Sequence, residues 1–426
     1  MRCLKKKLDR LARACGFIQR RRKLTAFEFV LLLVFGQTGI QHGSLSAWMA
    51  CLKNKISQPA LHKRFTKNAV EFLKQTFKLV LVQRILQESP IKIKDLSGFH
   101  NVILFDSTAW VLPSDLKNIF PGCGGNRSQA GCKAQLCYDF TQGEITFFDL
   151  SSGIESDQNY RTALSGLLSE RDLVLIDQGY FSIKILADIA TRGAYFLTRY
   201  LAGTTLYDVS GKKLFLYKKL KRSTDKLYSA KVLVGSNHPV PARLICLHVD
   251  RTTAEQRRRK VLKDSKRKGR TPSKQLLQMC SWIILLTNAP NEKLPVDKAY
   301  PLYRLRWQIE ILFKQLKSVL RLNQCKTVNV NRLYCEVYGR MTLALVVHRL
   351  HACANALSWK FSRIEISMEK FYKRIQERCF IFLHYALISP RRLLRFVLKN
   401  LPFLLRSCIK QHQKSRQTSL QRLMQA

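Results

Sequence analysis

The chain has 426 residues, of which 46% are hydrophobic, so the composition excludes a disordered protein and leaves room for two or three domains. Its 74 Lys and Arg residues outnumber 28 Asp and Glu residues, which gives a net charge of +46. Because a charge of that size repels itself, we expect a polyanionic partner. Nucleic acid is favoured over a membrane surface, since the basic residues are spread along the whole chain.

The N-terminus and the cysteines bear on the cellular compartment. The basic start is not followed by the apolar core and cleavage site of a signal peptide, and the most apolar early run, residues 29–35, is too short to span a bilayer. Thirteen cysteines without a disulfide-like framework suit a reducing environment. We therefore predict a cytoplasmic protein with no membrane partner.

Residues 1–95 are predicted to form a helical, basic domain that binds nucleic acid. One helix is expected to begin at Ser57, which suits an N-cap and has Pro59 within the first turn. In this helix Leu61 is spaced to pack inward, while the basic residues 62–64 face outward. The pattern fits the second helix of a helix-turn-helix, and a plain helical bundle with a basic surface is the open alternative.

Between residues 96 and 201 the pattern changes to strands and helices. Residues 102–105 form a continuous apolar run that ends in Asp106, and residues 172–176 repeat the pattern before Asp177. This order predicts an α/β fold with carboxylates at the carboxyl ends of buried strands, where the sites of open sheets lie. Further elements are predicted as strands over residues 132–140, 144–150 and 195–199, and as helices over residues 157–168 and from residue 182.

Residues 202–290 are predicted to form a β-rich insertion. A strongly basic segment, residues 257–274, interrupts it and is interpreted as a solvated loop, which would follow a DNA backbone if it lay beside an active site. The predicted strands of the insertion are residues 213–220, 226–234, 243–249 and 282–287.

Residues 303–317 are predicted to form a helix with two different faces. Apolar residues follow one side, while a phenol and three cations lie within about 40° either side of a carboxylate on the opposite side. A solvated face of ion pairs would look similar and is the alternative. The polar face consists of Tyr303, Arg306, Glu310, Lys314 and Lys317.

Three acids therefore stand out, namely Asp106, Asp177 and Glu310. Like charges that come together need a counter-charge, and a site of carboxylates alone in a basic protein indicates Mg²⁺ or Mn²⁺. Two such ions about 4 Å apart would suit phosphodiester chemistry on nucleic acid. The alternative for each aspartate is a turn former or helix cap, and Asp139 in a predicted strand is a possible rival for the site.

The helix carries a recognisable spacing. Tyr303, Arg306, Glu310 and Lys317 stand as Y-x2-R-x3-E-x6-K. This resembles the Y-R-E-K signature of the DDE insertion-sequence transposases, a group that includes hairpin-forming cut-and-paste enzymes.

Three further segments, in the same order along the chain, resemble that family. Asp106-Ser107-Thr108 is similar to its first acidic motif and Asp177-Gln178-Gly179-Tyr180 to its second. The strand that begins at Trp282 is similar to the one whose tryptophan receives a flipped base near the transposon end. A β-rich insertion before the third acid also belongs to the group, so the resemblance spans residues 100–320.

The resemblance implies the fold, an α/β protein with an RNase H-like core interrupted by a β-rich insertion and with helical N- and C-terminal regions. The predicted parts are a DNA-end-binding domain (residues 1–95), the first part of the catalytic core (96–201), the insertion (202–290), the core helix with the third acid (291–325) and a helical C-terminal region that is a candidate for dimerisation (326–426).

The resemblance also implies the roles of the residues. Asp106, Asp177 and Glu310 would be the catalytic carboxylates and would hold two Mg²⁺ (or Mn²⁺) ions. Trp282 would stack a base extruded from the duplex, with a core tryptophan as the open alternative, and Trp307 is interpreted as packing. The residues that would contact phosphates are Tyr303, Arg306 and Lys317, with Lys314 as a weaker candidate.

The function that follows is a prokaryotic, nucleoid-associated DNA transposase. It would bind the inverted-repeat ends of its element as a homodimer, hydrolyse the phosphodiester at each end and transfer the freed strand to target DNA. Two alternatives stay open, a structure-specific nuclease on the same fold and a decayed transposase that binds DNA without catalysis.

Overall fold

A computed structural model of the chain describes residues 2–20, 23–36, 45–50, 52, 56–82, 96–124, 129–223, 225–362, 364–379, 381–382, 385, 392, 395–396, 399, 402–403 and 406–410. The part of the predicted C-terminal region beyond residue 410 lies outside these residues. Among the helices of the described ranges, none combines the length and the apolar character that crossing a membrane requires.

The N-terminal region is helical, as predicted. Thr25 begins the second helix with a capping box, because its side chain accepts a hydrogen bond from the Glu28 amide (3.2 Å) while the Glu28 carboxylate accepts one from the Thr25 amide (2.9 Å). The helices of this region are α1 (Arg2–Ala14), α2 (Ala26–Leu31, continued by a π-helical turn, Leu32–Gly36), α3 (Leu45–Ala50), α4 (Gln58–His62) and α5 (Lys67–Val82).

Helix α4 corrects part of the helix-turn-helix prediction. Ser57 caps it as expected, accepting from the Ala60 amide at 3.3 Å, and Leu61 is buried. The prediction that residues 62–64 all face outward is wrong for Arg64. Its guanidinium lies 4.3 Å from the centre of the Phe17 ring and donates to the Phe17 carbonyl at 3.3 Å. With five residues α4 has little more than one helical turn.

The central sheet has the predicted RNase H-like arrangement. Strands β1, β2 and β3 form an antiparallel meander, and β4 and β5 pair in parallel on the other side of β1, giving the order β3-β2-β1-β4-β5. This confirms the fold class. The elements are β1 (Val102–Val111), β2 (Gly131–Asp139), β3 (Glu144–Ser152), α6 (Arg161–Leu167), β4 (Leu173–Ile176), α7 (Ile183–Thr191) and β5 (Tyr195–Arg199).

The segment between β5 and the helix that carries Glu310 extends the same sheet. Its last strand pairs antiparallel with β5, with Arg199 opposite Leu285, and its other strands add further outward. Two predictions are wrong here, since residues 216–220 of the predicted strand 213–220 are helical and most of the basic run 257–274 is helix rather than loop. The elements are β6 (Leu206–Tyr207), α8 (Leu216–Arg222), β7 (Leu227–Val234), β8 (Val240–His248), α9 (Arg251–Arg267), α10 (Lys274–Met279) and β9 (Trp282–Thr287).

Both faces of the sheet are covered, which explains the continuous apolar runs of β1, β4 and β9. Alternate residues pack into two cores, with Leu104 and Leu175 in one and Phe105 and Ile176 in the other. The first core also contains residues of the N-terminal helices and of four helices that follow β9 in the described part of the chain. These are α11 (Val296–Tyr303), α12 (Trp307–Ser318), α13 (Val330–Ser362) and α14 (Met368–Glu377).

A buried arginine joins the terminal regions to each other. Arg349 of α13 donates to the carbonyls of Val80 and Leu81 (2.7 Å for the latter), the last turn of α5, and its guanidinium lies 3.5 Å from the carboxylate of Glu144. Hydrogen bonds from a charged donor contribute about 1.5–3 kcal/mol each. Arg349 therefore caps α5 and fixes it against the sheet.

Candidate active site

The two aspartates come together because β1 and β4 are parallel neighbours. Phe105 of β1 lies opposite Ile176 of β4, so the residues that follow, Asp106 and Asp177, leave the paired region at the same edge of the sheet. The prediction that β1 ends at Asp106 is wrong, since β1 continues to Val111 along β2. Only its pairing with β4 ends there, and that is what exposes the edge.

The third acid reaches this edge on a broken helix. Residues 303–317 are not one helix, because a 3-10 turn, Arg304–Arg306, separates α11 from α12. A 3-10 turn has three residues per turn, so it rotates the preceding residues away from the direction expected for a continuous α-helix. Tyr303 is therefore buried at 4% exposure instead of being exposed on the polar face, although its hydroxyl still interacts with Arg306 and Asp177.

Arg306 joins the three carboxylates. Its guanidinium lies 3.2 Å from Asp106 Oδ2 and 3.5 Å from Asp177 Oδ1, and it also donates to Glu310 Oε1 one helical turn along α12. The side chain of Arg306 is 18% exposed, whereas those of Asp177 and Glu310 are 38% and 43% exposed. The sequence-predicted acids thus meet around one cation at an accessible edge.

Charge and burial oppose each other at this edge. Burial is the main cause that raises the pKa of Asp106 to about 7, with Asp177 and Glu310 adding to it, against the Ser107 amide hydrogen bond and Arg306, which both lower it. Burial also disfavours the charge of Arg306, but Asp177, Tyr303, Asp106 and Glu310 together raise the pKa of its guanidinium. Arg306 therefore favours the charged form of Asp106, but burial outweighs it, so the pKa of Asp106 stays raised.

The lysines of α12 lie further along the helix. Lys317 is half-buried and its Nζ donates to the carbonyl of Ala109 at 2.8 Å, and burial lowers its pKa. Lys314 is exposed. Tyr303 contacts the Ile176 carbonyl through its hydroxyl at 3.4 Å, one residue before Asp177. Tyr303 and Lys317 therefore support the strands that carry the aspartates.

The two tryptophans near the site are placed the other way round from the prediction. Trp282 is 5% exposed, its ring meeting His248 edge to face at 4.9 Å between centroids, which matches the core alternative. Trp307, interpreted as packing, is 63% exposed at the start of α12, between Arg306 and Glu310. The exposed tryptophan of this helix is Trp307, the residue after Arg306 in the chain.

Comparison with known proteins identifies the family of the chain. Residues 97–347, more than half of the chain, match the family model described as the transposase DDE domain. The chain belongs to this family of DDE transposases. Its matched region contains all three carboxylates and the whole nine-stranded sheet.

Bacterial insertion-sequence transposases resemble the chain over most of its length. The transposase of element IS231F from Bacillus thuringiensis subsp. israelensis is 27% identical, with 96% of this chain and 91% of that protein covered. The transposase of IS1151 from Clostridium perfringens is 28% identical, with 86% and 82% covered. A putative transposase, InsL of IS186A in Escherichia coli strain K12, is 24% identical over 80% of this chain and 89% of that protein.

A fourth acid, Asp157, connects the two aspartate motifs of this transposase. Its Oδ1 accepts hydrogen bonds from Ser107 Oγ (2.8 Å), Gln135 Nε2 (3.1 Å) and Lys133 Nζ (3.2 Å). Gln135, fully buried in β2, accepts in turn from the hydroxyl of Tyr180. One continuous network therefore runs from the residue after Asp106 to the segment that follows Asp177.

Sequence patterns do not distinguish Asp157 from an ordinary acid. Its importance depends on contacts 22 to 50 residues away, with Gln135 and Ser107, which no local spacing reveals. The available signal is a polar glutamine inside the otherwise apolar centre of β2, because a buried amide needs partners. The Asp157 carboxylate also lies beside Gly179. A Cβ added at Gly179 would lie 3.4 Å from Asp157 Oδ2 and 3.9 Å from Asp177 Oδ2.

The donor set fits a hard divalent cation in its chemistry. Asp106, Asp177 and Glu310 offer only carboxylate oxygens, the ligands that Mg²⁺ and Mn²⁺ prefer. Within the described ranges no three His, Cys, Asp or Glu side chains already form a group that could hold a metal ion. Because Arg306 contacts all three carboxylates, it occupies the centre that a cation would take.

Proposed function

We propose that this DNA transposase acts by cut-and-paste, binding the inverted-repeat ends of its element and cutting and joining DNA with divalent metal ions. The observation that carries the proposal is the convergence of Asp106, Asp177 and Glu310 on one guanidinium at an open edge of the sheet. Three carboxylates that lie close together repel one another unless a positive charge lies among them. The cluster is therefore suited to binding a cation.

Asp106, Asp177 and Glu310 would hold the metal ions, which we propose are two Mg²⁺ or Mn²⁺ ions. Bound there, such ions would polarise a phosphodiester and lower the pKa of an attacking water or 3′-hydroxyl. The role of Arg306 follows from its position, because a guanidinium released from three carboxylates keeps its planar set of donors and lies where a scissile phosphate would come.

The other residues predicted to contact DNA are also part of the proposal, and they differ in how accessible they are. Lys317 would have to leave the Ala109 carbonyl to meet a phosphate, whereas Lys314 is already exposed. Tyr303 and Trp282 are buried, so a contact with DNA would require that they move or that the DNA opens the surface around them. Binding as a homodimer to two element ends is part of the proposal through the family resemblance.

The decisive experiment is cleavage of DNA that carries the inverted repeats flanking the coding sequence, with and without Mg²⁺. Asp106→Asn and Glu310→Gln are each expected to lower the cleavage rate by about a thousandfold or more, since each removes a carboxylate that no neighbour replaces. The matched control is Asp139→Asn, a buried strand aspartate at the other end of the sheet, which should cut normally.

The alternatives are separated by the same assay. Persistent cleavage by both Asp106→Asn and Glu310→Gln would exclude the three acids as the catalytic group. Cutting of branched DNA regardless of end sequence would favour the structure-specific nuclease. Binding without any cutting by the wild-type protein would favour a decayed transposase.

A further inference from the structure

The most basic surface element of the described chain is α9, most of which lies in the segment 257–274 that the sequence pattern predicts as a loop. It has 17 residues, Arg251–Arg267, and Ala254 is its one buried residue. At 1.5 Å per residue it is about 25 Å long, the length of about seven base pairs of duplex. The helix begins with an Asp250 cap whose side chain accepts from the Thr253 amide at 2.8 Å.

The charges of α9 are sorted onto one face. At 100° per residue its five most outward cations fall within about 120° of the circumference, centred opposite Ala254, and neither acid of the helix lies within that sector. The two acids flank the sector and pair with arginines, Glu255 with Arg251 at 3.1 Å and Asp264 with Arg267 at 3.4 Å. The cations of this outward face are Arg259, Lys260, Lys263, Lys266 and Arg267, all exposed.

The inward arginines fix α9 to the sheet. Arg257 donates to the carbonyl of Trp282 at 2.7 Å, and Arg258 donates to the carbonyl of Leu277 at 3.2 Å and to the hydroxyl of Ser281 at 2.6 Å. These contacts fix the N-terminal half of the helix against neighbouring residues. The outward face therefore has a defined direction, which a mobile loop would lack.

The helix rises from the same edge of the sheet as the three carboxylates. Strand β8 ends at His248 opposite Trp282, and β9 runs antiparallel to β5, whose end is level with the end of β4 before Asp177. Arg199, at the end of β5, lies over the Tyr303 ring at 5.5 Å from its centroid. Arg257 is close enough to Arg199 that, after burial, this neighbour lowers its pKa. Cations therefore continue from the carboxylate edge to α9.

We propose that the outward face of α9 docks the phosphate backbone of duplex DNA that extends beyond the candidate active site. The partner is DNA rather than an acidic protein surface, because the outward cations, Arg259 to Arg267, follow one another over about 12 Å along the helix and so match the regularly spaced charges of a polyanion. The inference rests on the proposed function for the identity of the bound DNA, but it concerns binding and needs no metal and no chemistry.

The test compares two triple variants that remove the same charge. One is Arg259→Gln/Lys263→Gln/Lys266→Gln on α9, and the other is Arg171→Gln/Arg192→Gln/Lys231→Gln, exposed residues away from the carboxylate edge. Binding of a fluorescent random-sequence duplex is measured without divalent ions as a function of salt. For every phosphate that a variant no longer neutralises, the slope of log K against log salt falls in magnitude by about 0.9.

The α9 variant is expected to lower the slope by about 2–3 and to bind about tenfold more weakly near physiological salt, while the control variant matches wild type. As a second measurement that does not rely on folding of a variant, bound duplex should protect Lys260, Lys263 and Lys266 of the wild-type protein from amine acylation, and leave Lys231 reactive.

Equal losses in both triple variants, or unprotected α9 lysines in the bound protein, would overturn the inference. Its failure is distinguishable from failure of the proposed function. If the wild-type protein cuts DNA and the α9 variant binds DNA normally, only this inference is refuted. If the wild-type protein does not cut DNA and the α9 variant shows the altered salt slope, only the proposed chemistry is refuted.

Discussion

The central strands carry a pair of aspartates at each end, and the two pairs are held in opposite ways. Asp106 and Asp177 lie where the pairing of β1 with β4 ends, and their side chains are 17% and 38% exposed and face the guanidinium of Arg306. Asp139 and Asp172 lie at the opposite end, 5% and 1% exposed. The first pair is held by a side-chain cation, and the second pair is held mainly by amides.

The donors at the second end are fixed in place. Asp139 accepts from the amides of Thr141 (2.9 Å) and Gln142 (3.1 Å), which makes the turn between β2 and β3. Asp172 accepts from the amide of Ser169 (2.8 Å) and from Asn101 Nδ2 (2.9 Å). Such bonds stabilise turns and keep both carboxylates inside the fold.

A shifted pKa does not by itself mark a reactive acid in this protein. Burial is the main cause that raises the pKa of both Asp106 and Asp139 to about 7. What differs is the partner, since backbone amides cannot move away whereas an arginine side chain can. The exchangeable partner, rather than the pKa, distinguishes the end that suits ligand binding from the end that stabilises the fold.

The largest expected effect comes from removing the exchangeable cation. Arg306→Met would leave three carboxylates without a counter-charge, and breaking such a partly buried set is expected to lower the free energy of unfolding by about 3 kcal/mol in EDTA. Because a divalent cation can then enter without displacing a guanidinium, Mg²⁺ should raise the melting temperature of the variant more than that of wild type. Thermal unfolding with and without Mg²⁺ measures this.

Arg161→Met is the control for Arg306, since it breaks the ion pair with Asp188 between α6 and α7 and leaves the carboxylate edge intact. Its response to Mg²⁺ should equal that of wild type. If the Arg306 variant gains no more from Mg²⁺ than this control does, the view of Arg306 as a stand-in for a metal is wrong.

The next effect concerns the Asp157 network, which lies behind Asp106 and Asp177. Asp157→Ala removes the acceptor of Ser107, Lys133 and Gln135, so the segments after Asp106 and Asp177 lose their common support. Because the carboxylates themselves remain, we expect cleavage about 10–100-fold slower with DNA affinity unchanged. Single-turnover cleavage at saturating protein, beside equilibrium binding, separates the two quantities.

Asp157→Asn should fall between wild type and Asp157→Ala, because the amide oxygen still accepts but the charge that holds Lys133 is lost. Asp188→Asn, at an aspartate away from the carboxylate edge, should cleave like wild type. A loss of DNA affinity equal to the loss of rate would contradict a positioning role for Asp157.

A smaller effect, on stability alone, is expected at the opposite end. The folded pKa of Asp139 is raised above its unfolded value of about 3.8, so its stabilising contribution is complete below that value and is lost as the pH rises towards 7. Asp139→Asn keeps an oxygen for the two turn amides and carries no charge. Its stability relative to wild type should therefore rise by about 1–3 kcal/mol between about pH 4 and about pH 7 and change little above.

Urea denaturation of both proteins at about pH 5 and about pH 8 checks the sign and the size of this effect. A difference in unfolding free energy that is the same at both pH values would mean that Asp139 titrates normally. A reduced cleavage rate in Asp139→Asn would mean that the two ends of the sheet are coupled rather than separate.

The sequence predicted the fold well where the pattern is strong and local. The apolar runs of β1, β4 and β9 are buried on both faces, and the family spacing identified three acids that the parallel pairing of β1 and β4 then brings together. Helix α9 was missed because its cations, without apolar periodicity, give the same pattern as a loop.

Side-chain placement was harder to predict, because it depends on geometry that spacing does not contain. The 3-10 turn at Arg304–Arg306 rotates Tyr303 into the core, and Arg306 contacts acids 129 and 200 positions away, Asp177 and Asp106. The network of Asp157 is likewise formed by tertiary contacts alone. Periodicity gives faces and ends of elements, whereas a charge cluster of this kind exists only once the sheet has formed.

The smallest effect on stability is expected at Trp307, the exposed tryptophan at the start of α12. Trp307→Ala removes a side chain that is 63% exposed, so the free energy of unfolding should change by less than about 0.5 kcal/mol. Trp282→Ala, at a buried ring of the same sheet edge, is the opposite case and should destabilise clearly. Because the Trp307 indole is mostly exposed and contributes little to the fold, we expect that it can stack on a base, which is worth about 1–3 kcal/mol. Trp307→Ala should therefore bind single-stranded DNA more weakly while melting like wild type, and a variant that binds normally but unfolds earlier would return Trp307 to the packing role that its sequence suggested.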